Sequence, residues 1–444
     1  MSMDNWRQCK LGDLLEIKHG YAFLGEHFAS VGTHIVLTPG NFYDEGGFKQ
    51  KGDKEKRYNG PIPDDYILNE GDVIVAMTEQ AEGLLGSSAI VPRSGVYLHN
   101  QRLGLIQIRD PERADHRFVY YLFNSKPVRQ QIRASASGVK IRHTAPSRIA
   151  DVKVSVPPLQ VQRRIAGILS AYDELIGNNQ RRIRILEEMT RATYCEWFVR
   201  FRFPQGRTVA RAKTGTLGKT VLVDSPLGPI PQGWEVKTVG QVAETFRGRS
   251  YRSEDLAEEG NLPFLNLKCL DRDGGFRRSG LKRYKGEYRE KHVARKGDIV
   301  VAVTDMTQER RIVARAARVP TLDRDFGVFS MDLVRVEPKP PMPKPFLYCL
   351  LRFSSFADEV KQHANGVNVL HLSPDRICDY RFAVPSPELM ARFASCVDPN
   401  LELIDILENQ TETLRHTRDL LLPRLLSDQI HISQSLQDKD HIPA

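Results

Sequence analysis

The amino-acid sequence repeats itself once, at long range. The segment GVKIRHTAPSRI, which begins at Gly138, returns as GVNVLHLSPDRI beginning at Gly366, with six of its 12 positions identical and no gap. The offset is 228 residues in a chain of 444. Because the repeats of solenoid proteins are only about 20–50 residues long, this pattern indicates a duplicated domain.

Further landmarks return at nearly the same offset. Trp6 pairs with Trp234, and the apolar run DVIVAMT from Asp72 pairs with DIVVAVT from Asp298. Each run predicts a buried strand that is entered from a Gly-Asp turn. Each copy also predicts a helix, at about 118–134 and 346–365. We therefore expect an α/β protein with two similar mixed α/β domains, each of roughly 150 residues.

A long helix is predicted after each copy, where apolar residues alternate by four and three. In the first helix these positions are Ile165, Leu169, Tyr172, Ile176, Asn179, Ile183 and Leu186. In the second they are Phe393, Val397, Asn400, Ile404, Leu407, Thr411 and Leu414. The alternation is typical of a coiled coil. Each helix could instead pack on its own domain alone, but we favour a pair of long helices, because both copies keep the full pattern.

These patterns divide the chain into six segments. They are a first domain (1–157), a central helix (158–200), a connector (201–230), a second domain (231–385), a C-terminal helix (386–428) and a tail (429–444). The connector contains GTLGKT at 215–220. This hexapeptide has two residues between its glycines, whereas a phosphate-binding loop needs four, so we do not expect it to bind a nucleotide.

Composition favours a binding protein over an enzyme. The net charge of +9 favours a polyanionic partner, although a basic protein need not have one. The six cysteines form no C-x-x-C pair, which argues against a zinc site and fits a reducing compartment. Without an apolar leader or a long apolar run, the expected location is the cytoplasm, with no membrane contact.

The sequence shows no catalytic, dinucleotide or zinc-protease motif, so we predict no catalytic residue, metal ligand or cofactor in this chain.

Two segments resemble a known family. The helix that runs into EWFVRFRFP at 196–204, and the segment SPLGPIPQGWEVKTVGQVA from Ser225, are similar to the specificity (S) subunit of type I restriction–modification systems. The resemblance covers almost the whole chain. It implies two target-recognition domains, each of which reads one half of a split site in double-stranded DNA, and two long antiparallel helices that hold them apart.

The same resemblance implies partners. Two modification subunits, which carry S-adenosylmethionine and methylate adenine, would dock on the helices. Restriction subunits, which carry ATP hydrolysis with Mg²⁺ and DNA cleavage, would join that complex in defence against foreign DNA. Alternatives are the recognition part of a split methyltransferase–nuclease of another class, an orphan DNA-binding module, and an enzyme with an unrecognised active site.

Three loops in each copy carry polar side chains suited to DNA. The predicted DNA-binding residues are Lys49, Lys51, Arg57, Thr78, Gln80, Ser87, Lys140, Arg142 and His143 in the first copy, and Arg277, Arg278, Lys282, Arg283, Thr304, Gln308, Arg310, Arg311, Asn368 and His371 in the second. The loops at 78–88 and 304–311, here called the post-strand loops, differ most between the copies, so we expect base contacts there, above all from Gln80, Thr304, Gln308, Arg310 and Arg311. The lysines and arginines at 51–57 and 282–285 suit phosphate contacts, or are ordinary solvated charges.

The helices carry the predicted subunit interface. Its residues are Ile165, Leu169, Ile176, Ile183, Leu186, Tyr194, Trp197, Phe198, Val397, Ile404, Leu407 and Leu414. Tyr194, Trp197 and Phe198 suit either a modification subunit or the end of the chain's own second helix. From Ile165 to Leu186 the helix spans about 32 Å, close to one turn of B-DNA at about 34 Å, which suggests that the helices act as a spacer.

Overall fold

The structure is a computed structural model, and it describes residues 6–80, 83–204, 221–427 and 429–430. The hexapeptide at 215–220 and most of the predicted tail lie outside the described residues. By its contacts the chain divides into two units, one formed by residues up to 177 and from 412 onward, and the other by residues 178–411.

The described residues of the first unit form 12 strands. They are β1 (Arg7–Lys10), β2 (Leu15–His19), β3 (Phe28–Ala29), β4 (His34–Val36), β5 (Arg57–Tyr58), β6 (Val73–Ala76), β7 (Thr78–Glu79), β8 (Ser88–Ile90), β9 (Tyr97–Leu98), β10 (Leu103–Ile108), β11 (Arg142–His143) and β12 (Lys153–Val156). Its helices are α1 (His116–Asn124), α2 (Lys126–Ala134), α3 (Pro146–Ala150), the first half of α4 (Leu159–Tyr194) and, from residue 412 onward, the end of the C-terminal helix α9 (Pro387–Leu426). Two four-stranded sheets, in the orders β2-β10-β6-β8 and β3-β5-β4-β9, and the pairs β1-β12 and β7-β11 complete it.

The second unit repeats this plan. After a short pair, β13 (Leu222–Val223) and β14 (Ile230–Pro231), come β15 (Glu235–Thr238), β16 (Ala243–Arg247), β17 (Leu256–Ala257), β18 (Leu262–Leu265), β19 (Lys282–Tyr284), β20 (Val293–Arg295), β21 (Ile299–Ala302), β22 (Thr304–Asp305), β23 (Ala316–Arg318), β24 (Phe326–Phe329), β25 (Leu333–Pro338), β26 (Leu370–His371) and β27 (Arg381–Val384). Its helices are α5 (Val239–Val242), α6 (Lys344–Phe353), α7 (Phe356–Val360), α8 (Pro374–Cys378), the second half of α4, and α9 (Pro387–Leu426) as far as residue 411.

The sheets of the two units match strand for strand. The order β16-β25-β21-β23 corresponds to β2-β10-β6-β8, and the pairs β15-β27 and β22-β26 correspond to β1-β12 and β7-β11. The second large sheet has five strands, β17-β19-β18-β24-β20, where the first unit has four. The structure therefore confirms two similar mixed α/β domains.

The predicted strand in each copy is buried on both faces. In β6, Val73 and Val75 face one hydrophobic core with the helices, while Ile74 and Ala76 face a second core between the two sheets. Side chains alternate across a strand, so a strand covered on both sides must be apolar at every position, and this is why the run DVIVAMT shows no alternation of polar residues. β21 is covered in the same way.

The prediction of a single helix at 118–134 is wrong, because the chain forms two helices there. Ser125 has an extended backbone with ψ 144° and ends α1, and α2 then begins with a proline in its first turn. In the second copy the helix predicted at 346–365 is also divided, into α6, α7 and a short turn at 361–363. There Ser354 is extended, and its hydroxyl accepts a hydrogen bond from the backbone N–H of Phe356.

The long helices pair in antiparallel fashion within each unit. In the first unit, Asp173 of α4 accepts a 2.6 Å hydrogen bond from Arg418 of α9, and the earlier Leu169 shares a core with the later Leu425. In the second unit, the ring of Tyr194 lies 6.1 Å from that of Phe393. As expected for a coiled coil, the predicted apolar positions are turned inward: Ile165, Leu169, Ile176, Val397, Ile404 and Leu407 are buried, and Ile183, Leu186 and Leu414 are half-buried.

A row of ion pairs fixes the second domain to α9. Arg318, at the end of β23, donates to Asp405 at 2.6 Å and to Glu402 at 2.7 Å. Lys296 adds a 2.5 Å bond to Glu402. The side chains of Arg318 and Asp405 are only 12% and 5% exposed, so neither charge can be left alone without a large penalty.

We predict that Arg318→Ala destabilises the second unit by about 3–5 kcal/mol, because the buried carboxylate of Asp405 loses its 2.6 Å partner and keeps only the more distant Lys296, at 3.8 Å. Urea unfolding followed by the fluorescence of Trp197 and Trp234, both in this unit, measures the loss. Replacing both partners together, as R318M with D405L, should restore most of it, since an apolar pair removes the desolvation cost.

The control is Arg252→Ala. Arg252 pairs with Glu254 at 3.3 Å, but the two side chains are 83% and 71% exposed, and such pairs contribute little. Equal effects of R318A and R252A would show that the ion pairs on α9 do not hold this domain.

Candidate nucleic-acid interface

A buried carboxylate organises the post-strand loop in each domain. Glu79 in β7 accepts hydrogen bonds from the backbone N–H groups of Gly83, at 3.1 Å, and Leu85, at 2.9 Å. Asp305, the matching residue in β22, accepts from the backbone of Thr307 and Ile312 at 2.9 and 2.8 Å. Both side chains are buried, and each satisfies loop amides that have no partner in a strand.

The charge on Asp305 is stabilised by these bonds. Burial alone would raise the pKa of its carboxyl group, but donors from Ile312, Thr307 and Val313 outweigh burial and lower the pKa. Because the pKa in the folded state lies below its unfolded value, the stabilisation is fully present above the unfolded pKa and is lost as the pH falls through the lowered one. At neutral pH the loop is therefore held by a fully ionised carboxylate.

Sequence analysis missed both carboxylates. The available signal was an acidic residue directly after threonine at the end of each apolar run, in the tetrapeptides AMTE and AVTD. From the sequence, these acidic residues were interpreted as part of the variable surface loops. The structure shows that their side chains are buried.

A second element, here called the hairpin loop (residues 137–143 and 365–371), pairs with the start of each post-strand loop. In the first domain, the backbones of Ser137 and His143 exchange two hydrogen bonds of 2.9 and 2.8 Å. β11 then pairs with β7, and a 3.2 Å hydrogen bond joins His143 Nδ1 to Thr78 Oγ1. The second domain repeats the arrangement, with His371 opposite Thr304. Thus the structure brings together two of the three predicted loops in each domain.

In the second domain, two predicted base-contacting residues support the hairpin loop. Gln308 donates a 2.6 Å hydrogen bond to the carbonyl oxygen of Val367. Arg310 donates to the side chain of Gln362 at 3.1 Å and to the carbonyl of Ala364 at 3.3 Å. Arg311 is exposed and forms an ion pair with Glu309. Gln308 and Arg310 therefore connect the two loops.

In the first domain, the turn at 43–47, which precedes the third predicted loop, contacts the post-strand loop. Ser87, which is fully buried, donates a 2.7 Å hydrogen bond to the carbonyl of Tyr43, and Lys49 lies 5.5 Å from the ring of Tyr43. Arg129 of α2, which sequence analysis did not single out, donates to carbonyl oxygens on both sides, at Asp44 and Leu85. Ser87 and Arg129 thus join the turn to the post-strand loop, and Lys49 is brought near it.

The other basic residues fall into two groups. Some are occupied within the fold: Arg57 donates to the carbonyl of Gly32 at 2.7 Å, Arg277 donates to that of Lys268 at 2.8 Å, Arg283 pairs with Asp323 at 2.7 Å, and Arg278 pairs with Glu408 of α9 at 3.2 Å. Others extend into solvent, and these are Lys140, Arg142 and Lys282. Lys51 is half-buried, whereas the uncharged Gln80 and Asn368 are exposed. The predicted basic set is therefore not one continuous surface.

The aromatic residues at the end of α4 are packed inside the second unit. Tyr194 is 3% exposed, and the ring of Phe198 lies 4.9 Å from those of both Phe346 and Phe393. The ring of Trp197 lies 5.7 Å from that of Phe393. Of the two interpretations left open by the sequence, packing on the chain's own second helix is the one observed.

Within the ranges that the structure describes, no group of three or more His, Cys, Asp or Glu residues is arranged to hold a metal ion. No helix in these ranges is long and apolar enough to span a membrane.

Comparison with known proteins identifies the family. A family model described as "Type I restriction modification DNA specificity domain" matches residues 3–188 and again 231–416. The type I restriction enzyme MjaIX specificity subunit of Methanocaldococcus jannaschii is 24% identical over 328 residues, which cover 71% of this chain and 69% of the relative. The MjaVIII specificity subunit of the same organism is 22% identical over 382 residues, covering 83% of this chain and 81% of the relative.

A solved structure supports the fold. The S subunit of a type I restriction–modification system from M. genitalium superposes with a TM-score of 0.59 at 17% identity, covering 95% of this chain and 96% of the other. The double match of the family model coincides with the two repeated domains and their helices. The chain belongs to the family of specificity subunits of type I restriction–modification systems.

Proposed function

We propose that this chain recognises a bipartite site in double-stranded DNA, one half-site per target-recognition domain, and that it scaffolds two modification subunits and the restriction subunits. The chain itself contributes no catalytic residue in this proposal. S-adenosylmethionine, ATP and Mg²⁺ belong to the partner subunits.

One observation carries the proposal. Each domain holds a post-strand loop by a buried carboxylate and supports it with a hairpin loop, while the residues of the post-strand loop differ between the domains. Glu79 and Asp305 keep the same task, but the sequence that follows is QAEGLLGSS in one copy and MTQERR in the other. Two domains that recognise different base sequences need different exposed side chains on a loop that is held in the same way, and this is the arrangement here.

Charge supports the choice of DNA as the partner. The net charge of +9 favours a polyanion, and exposed Lys140 and Arg142 flank the tip of the first hairpin loop. Phosphate contacts of this kind set affinity and orientation, while contacts with base edges set the sequence.

The test is methylation mapping of DNA from cells that express this chain together with its modification subunit. The expected result is one modified motif with two defined halves and an undefined spacer. A continuous motif, or no modification that depends on this chain, would contradict the proposal. DNA-cleaving or DNA-methylating activity of the purified chain alone would favour an enzyme instead.

Asp305→Asn should loosen recognition of one half-site only. The amide keeps the size of the carboxylate but cannot accept all of its hydrogen bonds, so loop amides lose partners at a cost worth about tenfold or more in binding. Methylation mapping measures the result as lost base preference in one half of the motif. Glu79→Gln should affect the other half.

The matched control is Asp379→Asn, which removes an acid whose side chain is 67% exposed and pairs with Arg376 at 3.6 Å. This variant should leave both halves unchanged. If D305N degraded both halves equally, the assignment of one half-site to each domain would be wrong.

We further propose that the helices set the spacer between the half-sites. An insertion of four residues after Gly177 in α4, with a matching insertion after Thr411 in α9, adds about 6 Å of helix, which is more than the rise of one base pair, about 3.4 Å. The mapped spacer should therefore lengthen by one or two base pairs with both halves unchanged.

Gly177→Ala provides the control at constant length, because nothing lies within 4 Å of the added methyl group. A spacer that stays constant after the insertions would refute the role of the helices as a ruler.

A further inference from the structure

The two hairpin loops share an unusual feature, a valine held out in solvent at the tip. Val139 is 99% exposed and Val367 is 90% exposed. Single exposed apolar side chains are common on protein surfaces. Here, however, the same residue type occupies the same position in both copies, although the residues that follow it differ, as KIR in one copy and NVL in the other.

The turn that presents each valine requires glycine. Gly138 has φ +101°, and a Cβ atom placed there would lie 2.0 Å from the carbonyl oxygen of Ile141. Gly366 has φ +150°, and its Cβ would lie 1.9 Å from the carbonyl oxygen of Val369. Since other residues would be strained and would collide with the backbone, both copies keep a tight turn that projects the next side chain outward.

Hydrogen bonds from neighbouring segments support both hairpin loops. The hydrogen bond from Gln308 to the carbonyl of Val367 joins the second tip to the post-strand loop. In the first domain, Arg148 donates to the carbonyl of Ser135 and to the hydroxyl of Ser137 at the base of the loop, at 3.0 and 3.1 Å. The tips are thus positioned beside the loops that vary between the domains.

The surroundings of Val139 favour DNA over an apolar protein surface. Lys140 and Arg142 are exposed within the same hairpin loop, and His143 follows them. A basic loop with an apolar tip suits a DNA groove, because the cations can contact phosphates while the tip contacts the edges of the bases. The apolar group on a base edge in the major groove is the 5-methyl of thymine.

We propose that Val139 and Val367 are specificity-determining residues, each of which contacts the methyl group of a thymine in the half-site read by its own domain. This proposal rests on the proposed function. It adds one apolar contact that both domains make, whereas their polar contacts differ. The basic flanks of Val139 supply phosphate affinity, whereas Val367, which is flanked by Asn368, relies on its loop being fixed by Gln308.

The experiment uses the full chain in complex with its modification subunit, and DNA duplexes that carry both mapped half-sites. Each thymine in turn is replaced by deoxyuridine, which lacks only the 5-methyl group. One replacement in each half-site should weaken binding about threefold to fourfold, the effect of one buried methyl group. Val139→Ala should weaken binding to the thymine duplex by a similar factor or more.

The combination of both changes is decisive. On the duplex with deoxyuridine at the critical position, Val139→Ala should cause little further loss, because the contact is already missing. Val367→Ala should show the same relation to a thymine in the other half-site. Val221→Ala is the matched control, since Val221 is 62% exposed and lies outside the two segments, 3–188 and 231–416, that match the family model, and it should bind like the unchanged chain.

Three outcomes would overturn the inference while leaving the proposed function intact. They are equal losses from Val139→Ala on thymine and deoxyuridine duplexes, no loss on either, and a loss of modification-subunit assembly with unchanged DNA affinity, which would assign the tip to a protein partner. Failure of the unchanged complex to prefer the mapped site over other DNA would instead contradict the proposed function itself.

Discussion

The surface of each target-recognition domain depends on one buried carboxylate. A loop that leaves a central strand carries N–H groups into the interior, and these need acceptors there. Glu79 and Asp305 supply acceptors for several amides at once, which fixes the loop without any contribution from its outward side chains. The hairpin loop then pairs with the same short strand, so that both loops share one anchor.

The attachment of each domain to the helices has diverged more than the domains themselves. In the first unit, Asp173 of α4 accepts hydrogen bonds from Tyr121 and Arg418, at 2.6 Å each. In the second unit, Arg318 reaches Asp405 and Glu402 of α9, and the residue that matches Arg318 in the first copy is Ile90, which packs in an apolar core. Each domain is therefore attached to the long helices by different residues, although the two domains share one fold.

Much of the fold was predictable from the sequence, because the signals were periodic or repeated. The 4-3 alternation predicted the helix pairing, and the apolar runs predicted strands covered on both faces. The breaks at Ser125 and Ser354 were missed, since apolar spacing continues across them and only the local backbone departs from a helix. Where Tyr194 and Phe198 would pack was left open, because an aromatic residue can fill its own core or a partner's equally well.

The candidate site was less predictable, because sequence position does not reveal the direction of a side chain. Thr78, His143, Gln308 and Arg310 lie in segments that the structure brings together, and their contacts with DNA stay a prediction. Whether such residues face bases or hold neighbouring loops depends on hydrogen bonds between segments about 60 residues apart, which no local pattern encodes. The acids that follow the buried strands were overlooked for the same reason.

Because the anchoring carboxylates bind main-chain amides, every amino acid except proline can serve as the donor at the anchored positions, 83, 85, 307, 312 and 313. Apart from the hydroxyl of Thr307, which also donates to Asp305 at 2.9 Å, these bonds place no other demand on the identity of those residues. Mutation or genetic exchange can therefore rewrite the exposed face of these loops while the anchor survives. Under the proposed function, such changes give a domain new recognition without altering its fold.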